Sequence, residues 1–247
     1  MLGAVILATR DTGFSGASEL GEQSAPLVEI AGRTLVERVV AVAQATEGLS
    51  RVVVVGGGES PSAPFGADVH LPGCDLPAAN LLAGLMACDD YTHAALLPGN
   101  LPFLTQAELA GFLSAAEDTR ADIVYPMVPR QTCEAAFPEL RRTCFGLAEG
   151  EVTGGNALFV NRQALVANPE LIERAVQIRR EPWRLALMVS PLMVLAFNAG
   201  RLGLRDIAQA AEKAMGLKAA AVIVDAPGLA TDVRKPIDLR VARERLT

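Results

Sequence analysis

The sequence predicts a three-layer α/β/α fold, a mostly parallel sheet covered by helices on both faces. Three observations lead there. Short runs of apolar residues without polar alternation recur along the chain, Gly3–Ala8, Val52–Val55, Ala94–Leu97 and Ala219–Val224 among them, and a strand buried on both faces reads this way. Between the runs lie segments with apolar residues at helical spacing, several opened by a capping residue or a proline. The two kinds alternate, as crossover-connected parallel strands require.

Each element has its own justification. Gly3–Ala8 is the first strand, and it feeds a polar loop of about seventeen residues, Thr9 to Ala25; connections that long usually carry function. Leu27–Ile30 is a short extended piece turned by Gly32. Thr34 caps a helix whose apolar face is Leu35, Val36, Val39, Val40 and Val42. Val52–Val55 is the second strand, ended by Gly56-Gly57-Gly58. That run lacks the spacing of a dinucleotide fingerprint, and Pro61 and Pro64 follow where a helix would begin, so it reads as a plain loop. Val69–Leu71 is a third, short strand. Asp75 stands where it would cap a helix running from Pro77 to Cys88.

The Ala94–Leu97 strand runs into Pro98-Gly99-Asn100-Leu101-Pro102-Phe103-Leu104, and Thr105 with Glu108 three residues on forms a capping box for a helix from about 106 to 117. Ile123–Val128 is another strand, and 122–151 is less regular. Asn156–Val160 reads as a strand opened by Thr153-Gly154-Gly155-Asn156, a good turn sequence. Helices fill about 169–180, 182–198 and 205–215, Ala219–Val224 is the last strand, and Pro236 opens a terminal helix.

Composition narrows the partners. A net charge of −6 and a pI near 5.1 exclude the basic stripe of a nucleic-acid surface. Four scattered cysteines and two histidines make neither a zinc site nor a disulfide framework, and read as buried free thiols in a reducing cytoplasm. The N-terminus lacks the basic segment of a signal peptide, which also points to a cytoplasmic location. The uncharged stretch 185–200 is interrupted by Pro191 and falls short of the ~20 residues of a membrane span; it is expected to be a core helix or a homo-oligomer interface. The only lysines are Lys213, Lys218 and Lys235. Any phosphate grip earlier in the chain must therefore use arginine, backbone N–H groups or a metal.

Four blocks carry a family resemblance. They are Ala25-Pro-Leu-Val-Glu-Ile-Ala-Gly-Arg-Thr-Leu-Val-Glu-Arg-Val-Val40 with the strand before it, the block around Asn100, Thr153-Gly-Gly-Asn-Ala-Leu-Phe-Val-Asn161, and Asp232-Val-Arg-Lys-Pro-Ile-Asp-Leu239. In this order they resemble the nucleotidyltransferases similar to molybdenum-cofactor guanylyltransferase, of glycosyltransferase-A type. The resemblance implies a single domain, 1–247, with about 129–215 carrying an acceptor-side and helical insertion. It also implies transfer of a nucleotidyl group from a nucleoside triphosphate to a small-molecule acceptor, assisted by Mg²⁺.

Carried over residue by residue, the resemblance places Asn100, Asp232 and Arg234 at the catalytic positions. Ala8, Thr9, Arg10, Gly13 and Asp75 fall on the nucleotide side, and Gly154, Gly155 and Asn156 on the acceptor side. The departures are systematic. The family's early loop glycines are Thr9-Arg10-Asp11-Thr12 here, its lysine before Pro-Leu is Ala25, its first metal carboxylate is Asn100, and its second is Arg234. A Mg²⁺ ion would then be held weakly or only together with the nucleotide, Asn100 being a neutral donor, while Arg234 reads either as a stand-in cation or as a surface residue. Asn100→Asp is expected to cost little stability, and Ala25→Lys to restore a pyrophosphate cation. Arg141 and Arg142 read as a solvated pair or as a grip on an anionic acceptor.

Two functional readings follow. One is a nucleotidyltransferase-family protein that binds a nucleoside triphosphate or nucleotide-sugar at a reduced metal and phosphate site. The other is a non-catalytic homologue, a nucleotide-sensing or protein-interaction module. A glycosyltransferase would need an Asp-x-Asp at a strand end, and the chain has none.

Overall fold

The computed structural model describes residues 1–10, 20, 24–58, 64–180 and 201–247, the side chains of 177–180 excepted. The expected helix at 182–198, the 185–200 interface and Gly13 lie outside the described residues. The strands, in chain order, are β1 (Leu2–Ala8), β2 (Glu29–Ile30), β3 (Arg33–Thr34), β4 (Leu49–Gly56), β5 (Val69–Leu71), β6 (His93–Pro98), β7 (Ile123–Pro129), β8 (Phe145–Leu147), β9 (Gly150–Gly154), β10 (Leu158–Asn161) and β11 (Ala219–Ile223). The helices are α1 (Leu35–Ala45), α2 (Pro77–Met86), α3 (Gln106–Thr119), α4 (Arg130–Ala136), α5 (Arg162–Ala167), α6 (Pro169–Arg180), α7 (Leu204–Met215) and α8 (Pro236–Leu246).

The main sheet has the order β5-β4-β1-β6-β10-β7-β9-β8, with β11 on the other edge of β7. The β5-β4-β1-β6 half is parallel, with Leu7 opposite Val55 on one side and Pro98 on the other. β11 is parallel to β7, whereas β10 is antiparallel to both β6 and β7, and β8 and β9 form an antiparallel pair beside β7. The fold is thus a mostly parallel sheet between helical layers, as expected.

Side-chain alternation along β1 defines the layers. Ala4, Ile6 and Ala8 meet Val36, Val39 and Val40 of α1 and join a core that includes Leu109, Phe112 and Leu113 of α3. Val5 and Leu7 face the other way, in a core with Leu81 and Leu85 of α2, Leu165 of α5, and Ile172 and Val176 of α6. Val233 and Ala242 pack with Val28, Ile30 and Leu35, which seats α8 beside the first layer. Both threonine caps form full boxes, Thr34 with Glu37 and Thr105 with Glu108.

Two expectations change. Asp75 does not cap α2: the cap residue is Leu76, which makes no side-chain cap bond, and Asp75 is exposed. The cysteines are not uniformly buried; Cys88 and Cys133 are, Cys144 is half-buried, and Cys74 is exposed. Among the described residues, no helix is long and apolar enough to cross a membrane.

Candidate active site

The ends of β1 and β6 are locked side by side. The Gly99 N–H donates to the Leu7 carbonyl at 2.8 Å, so Thr9 and Asn100 emerge from neighbouring parallel strands, at the edge where open α/β sheets bind ligands. Beside them, Gly56 at the end of β4 has φ +98°, which favours glycine. Gly73 follows β5, and a Cβ built there would come within 2.8 Å of Thr9 Cγ2 and 2.9 Å of the Gly56 Cα. The loop after β5 therefore closes directly onto the ends of β1 and β4, and only glycine permits that approach.

Asn80 of α2 holds this loop in place. It is 2% exposed; its Oδ1 accepts from Cys74 N–H at 2.8 Å and its Nδ2 donates to the Cys74 carbonyl at 2.7 Å. Sequence reasoning passed over Asn80, yet the signal was there. The buried positions of α2 are Pro77, Asn80, Leu81, Gly84 and Leu85, one helical stripe, and a polar residue on such a stripe needs partners. Asp75 sits two residues beyond Gly73.

The segment 225–235 crosses from the other side, and three side chains hold it. Asn100 is 4% exposed; its Nδ2 donates to the Val233 carbonyl at 2.9 Å, and the Val233 N–H returns a bond to the Asn100 carbonyl at 3.0 Å. Asn156 takes the Leu229 carbonyl with its backbone N–H at 2.7 Å and its Nδ2 at 3.1 Å. Glu108, besides completing its capping box, accepts from the Gly228 N–H at 2.7 Å. Gly155 donates to the Pro126 carbonyl at 2.9 Å, and the Gly154 backbone lies against the Tyr125 hydroxyl with no room for a Cβ.

Charged residues of this segment and its neighbours form a largely buried network. Arg142 is neither a solvated residue nor exposed to an acceptor: its side chain is 8% exposed, with Nη1 3.1 Å from Asp232 Oδ1 and Nη2 bonded to the Asp232 carbonyl at 3.2 Å. Its Nη2 also lies 3.5 Å from Asp238 Oδ1. The second Asp232 oxygen is 3.2 Å from Arg234 Nε, an ion pair off the hydrogen-bond line. Asp238 Oδ2 accepts from the Arg234 and Lys235 N–H groups at 3.0 and 2.8 Å, which satisfies two donors at the start of α8. Arg141 is exposed.

This constellation does not fit a Mg²⁺ ion held by the protein. Such an ion wants close oxygen ligands, normally with one or two carboxylates. Both Asp232 oxygens face guanidinium groups, and Asn100, whose Oδ1 is buried without a hydrogen-bond partner, contributes no charge. Among the described residues there is no group of three or more His, Cys, Asp or Glu side chains able to hold an ion. The reversal Ala25→Lys also meets an obstacle, because Ala25 is 4% exposed and a lysine there would bury its charge.

The strand ends of a mostly parallel sheet are thus gathered under two cross-held loops, at the edge where α/β sheets of this type receive ligands. The chain belongs to the MobA-like NTP transferase domain family, whose model matches residues 12–186. It is similar to a hypothetical transferase from Thermus thermophilus, at 31% identity and a TM-score of 0.79 over 96% of this chain and 99% of that one. Two more distant structures share the fold. One is a CMP:2-keto-3-deoxy-manno-octonic acid synthetase complexed with CTP (13% identity, TM-score 0.62, 100% and 98% covered). The other is 2-C-methyl-D-erythritol 4-phosphate cytidylyltransferase, also from Thermus thermophilus (20% identity, TM-score 0.54, 99% and 98% covered). No curated protein matches the chain by sequence.

Proposed function

We propose that this chain is a single-domain, nucleotide-binding member of its family, taking a nucleoside triphosphate or nucleotide-sugar at the carboxyl ends of β1, β4 and β6. Ala8, Thr9, Arg10 and Asp75 face the nucleotide. Gly154, Gly155 and Asn156 border a small-molecule acceptor, and Asn100, Asp232 and Arg234 lie between. One observation carries the reading: loops from both sides, at Gly73 and at 231–234, close onto adjacent parallel strand ends, the place where this class of sheet receives ligands. The distant synthetase of the same fold was solved with CTP, which supports a nucleotide in such a cleft. Any Mg²⁺ would then arrive on the phosphates. Titration of CTP, GTP, ATP and UTP into the protein by calorimetry tests the reading; the expected result is saturable binding of at least one, lost in Gly73→Val.

The engagement of both Asp232 oxygens by arginine favours a second reading, in which the same cleft binds a nucleotide without transferring it. Pyrophosphate release from the bound triphosphate, assayed with phosphorylated and hydroxylated acceptors, separates the two. Release supports a transferase; binding without release supports a nucleotide sensor.

A further inference from the structure

We infer that the outer face of α2 is where two copies of this chain associate, the two helices packing antiparallel about a twofold axis. Of helices α1 to α8, α2 alone contains no Asp, Glu, Lys or Arg. Its inner stripe, Pro77, Asn80, Leu81, Gly84 and Leu85, is buried, with Leu81 and Leu85 in the core shared with β1 and β4. The opposite stripe is Leu76, Ala79, Ala83 and Met86. Leu76 is 67% exposed and Met86 56%, and Ala79 is exposed between them. A helix apolar on both faces is ordinarily buried, and an apolar patch left at the surface marks an interaction site.

The face is built to receive its own copy. Positions 76, 79, 83 and 86 follow the 3-4-3 spacing of a coiled-coil seam, which reads the same in either direction. A twofold axis through the middle of the seam therefore sets Leu76 against Met86 of the second copy and Ala79 against Ala83, the self-complementary patch that a closed dimer requires. Side chains at the crossing set how near two helix axes come, and the central alanines allow a close one. The charges at the ends agree with this direction. Arg51 donates from Nη1 to the Ala87 carbonyl at 3.2 Å, just past the seam, and the antiparallel register brings it opposite the exposed Asp75 at the start of the other helix. Asp89 and Asp90 lie within 3.3 Å of Arg51; they stand at the negative end of their own helix dipole and gain the positive end of the other. Parallel packing would oppose like ends and like charges. The helix has 10 residues, a contact about 15 Å long, so the dimer is a small, reversible one at the low end of interface size.

Sedimentation equilibrium of the full chain from about 1 µM to about 1 mM tests this, with a dissociation constant of about 10–500 µM expected. Two double variants, Ala79→Glu with Ala83→Glu and Ala79→Lys with Ala83→Lys, put like charges across the seam. Each should be monomeric alone, and an equimolar mixture of the two should regain association, because opposite charges then face each other. Leu76→Gln, at the most exposed seam position, should weaken association about tenfold without adding charge, and serves if a doubly charged variant does not fold. Ala41→Glu, on the exposed face of α1, should associate as the wild type does. Thermal unfolding midpoints show which variants are folded. A wild type that stays monomeric overturns the inference, as does association unchanged in Leu76→Gln and the charged variants. A mixture of the folded double variants that fails to associate also overturns it. Monomeric wild type that binds phosphatidylcholine vesicles, with binding abolished by Ala79→Glu and Ala83→Glu, would overturn it in favour of a lipid surface.

Discussion

Asn100 shows how a near-isosteric exchange at a strand end can carry a large cost. Its amide nitrogen donates to the Val233 carbonyl inside the protein, so an aspartate there would replace a donor with a second acceptor facing that carbonyl. A group left this way carries a desolvation penalty of about 1–3 kcal/mol, more if ionised. Asn100→Asp should therefore lower stability by at least ~1 kcal/mol, against the small cost expected from shape alone; urea unfolding at neutral pH measures it. Arg142 sits under a stricter constraint. Removing one partner of a buried pair costs about 3–5 kcal/mol, and Arg142→Ala would take away the guanidinium that faces Oδ1 of both Asp232 and Asp238, so it should be strongly destabilising. The thiols give a third test at this scale. Burial pushes Cys88 and Cys133 up to about 11, which keeps them protonated at neutral pH. A disulfide reagent should react rapidly with the exposed Cys74, slowly with Cys144, and with Cys88 and Cys133 only after unfolding.

Among the elements, α2 and α1 make opposite demands. Gly84 of α2 lies against β1 and β4, where a Cβ would overlap Val5 Cγ1 and come within 3.1 Å of Val55 Cγ2. Alanine is the better helix former, yet overpacking a tight core typically costs about 1–3 kcal/mol, so Gly84→Ala should destabilise; thermal unfolding decides the sign. Helix α1 depends on an ionised carboxylate. The Thr34 side-chain and backbone hydrogen bonds hold Glu37 below its usual range. Its folded-state value is depressed, so its contribution is present at neutral pH and lost as pH falls through that lowered value. Glu37→Gln should flatten this part of the acid limb in unfolding curves measured across the acid range. Helices α1 and α3 were legible in the sequence for physical reasons: Thr34 and Thr105 announce caps by type, and the apolar spacing of α1 needs no tertiary knowledge. Asp75 misled because a capping residue type was present while the chain turned into α2 one residue later. The roles of Asn80 and Arg142 depend on partners 6 and 90 positions away, which local pattern reports only as a polar residue on an apolar stripe or as one more arginine.

At the level of the whole molecule, the parallel half of the sheet was readable and the other half was only partly so. Continuous apolar runs identify strands buried on two faces, but they carry no direction, so β10 was visible as a strand and not as an antiparallel insertion. The hairpin of β8 and β9 is short and half-polar, and the sequence showed only irregularity there. Site positions followed the same division: the strand-end residues could be placed, whereas the ion network that decides the site's charge closes through contacts distant in sequence. The inserted β10 has a further consequence, for biosynthesis. β6 and β7 follow one another along the chain but do not pair; β10 must come between them. While the polypeptide emerges from the ribosome, β6 stays an unpaired edge until about sixty more residues have been made, roughly 3–12 s at typical elongation rates. An open, apolar edge such as Ala94–Leu97 is a template for pairing with another chain. Nascent chains stalled before residue 158 should therefore be the aggregation-prone species, and ones released beyond residue 161 should be much less so.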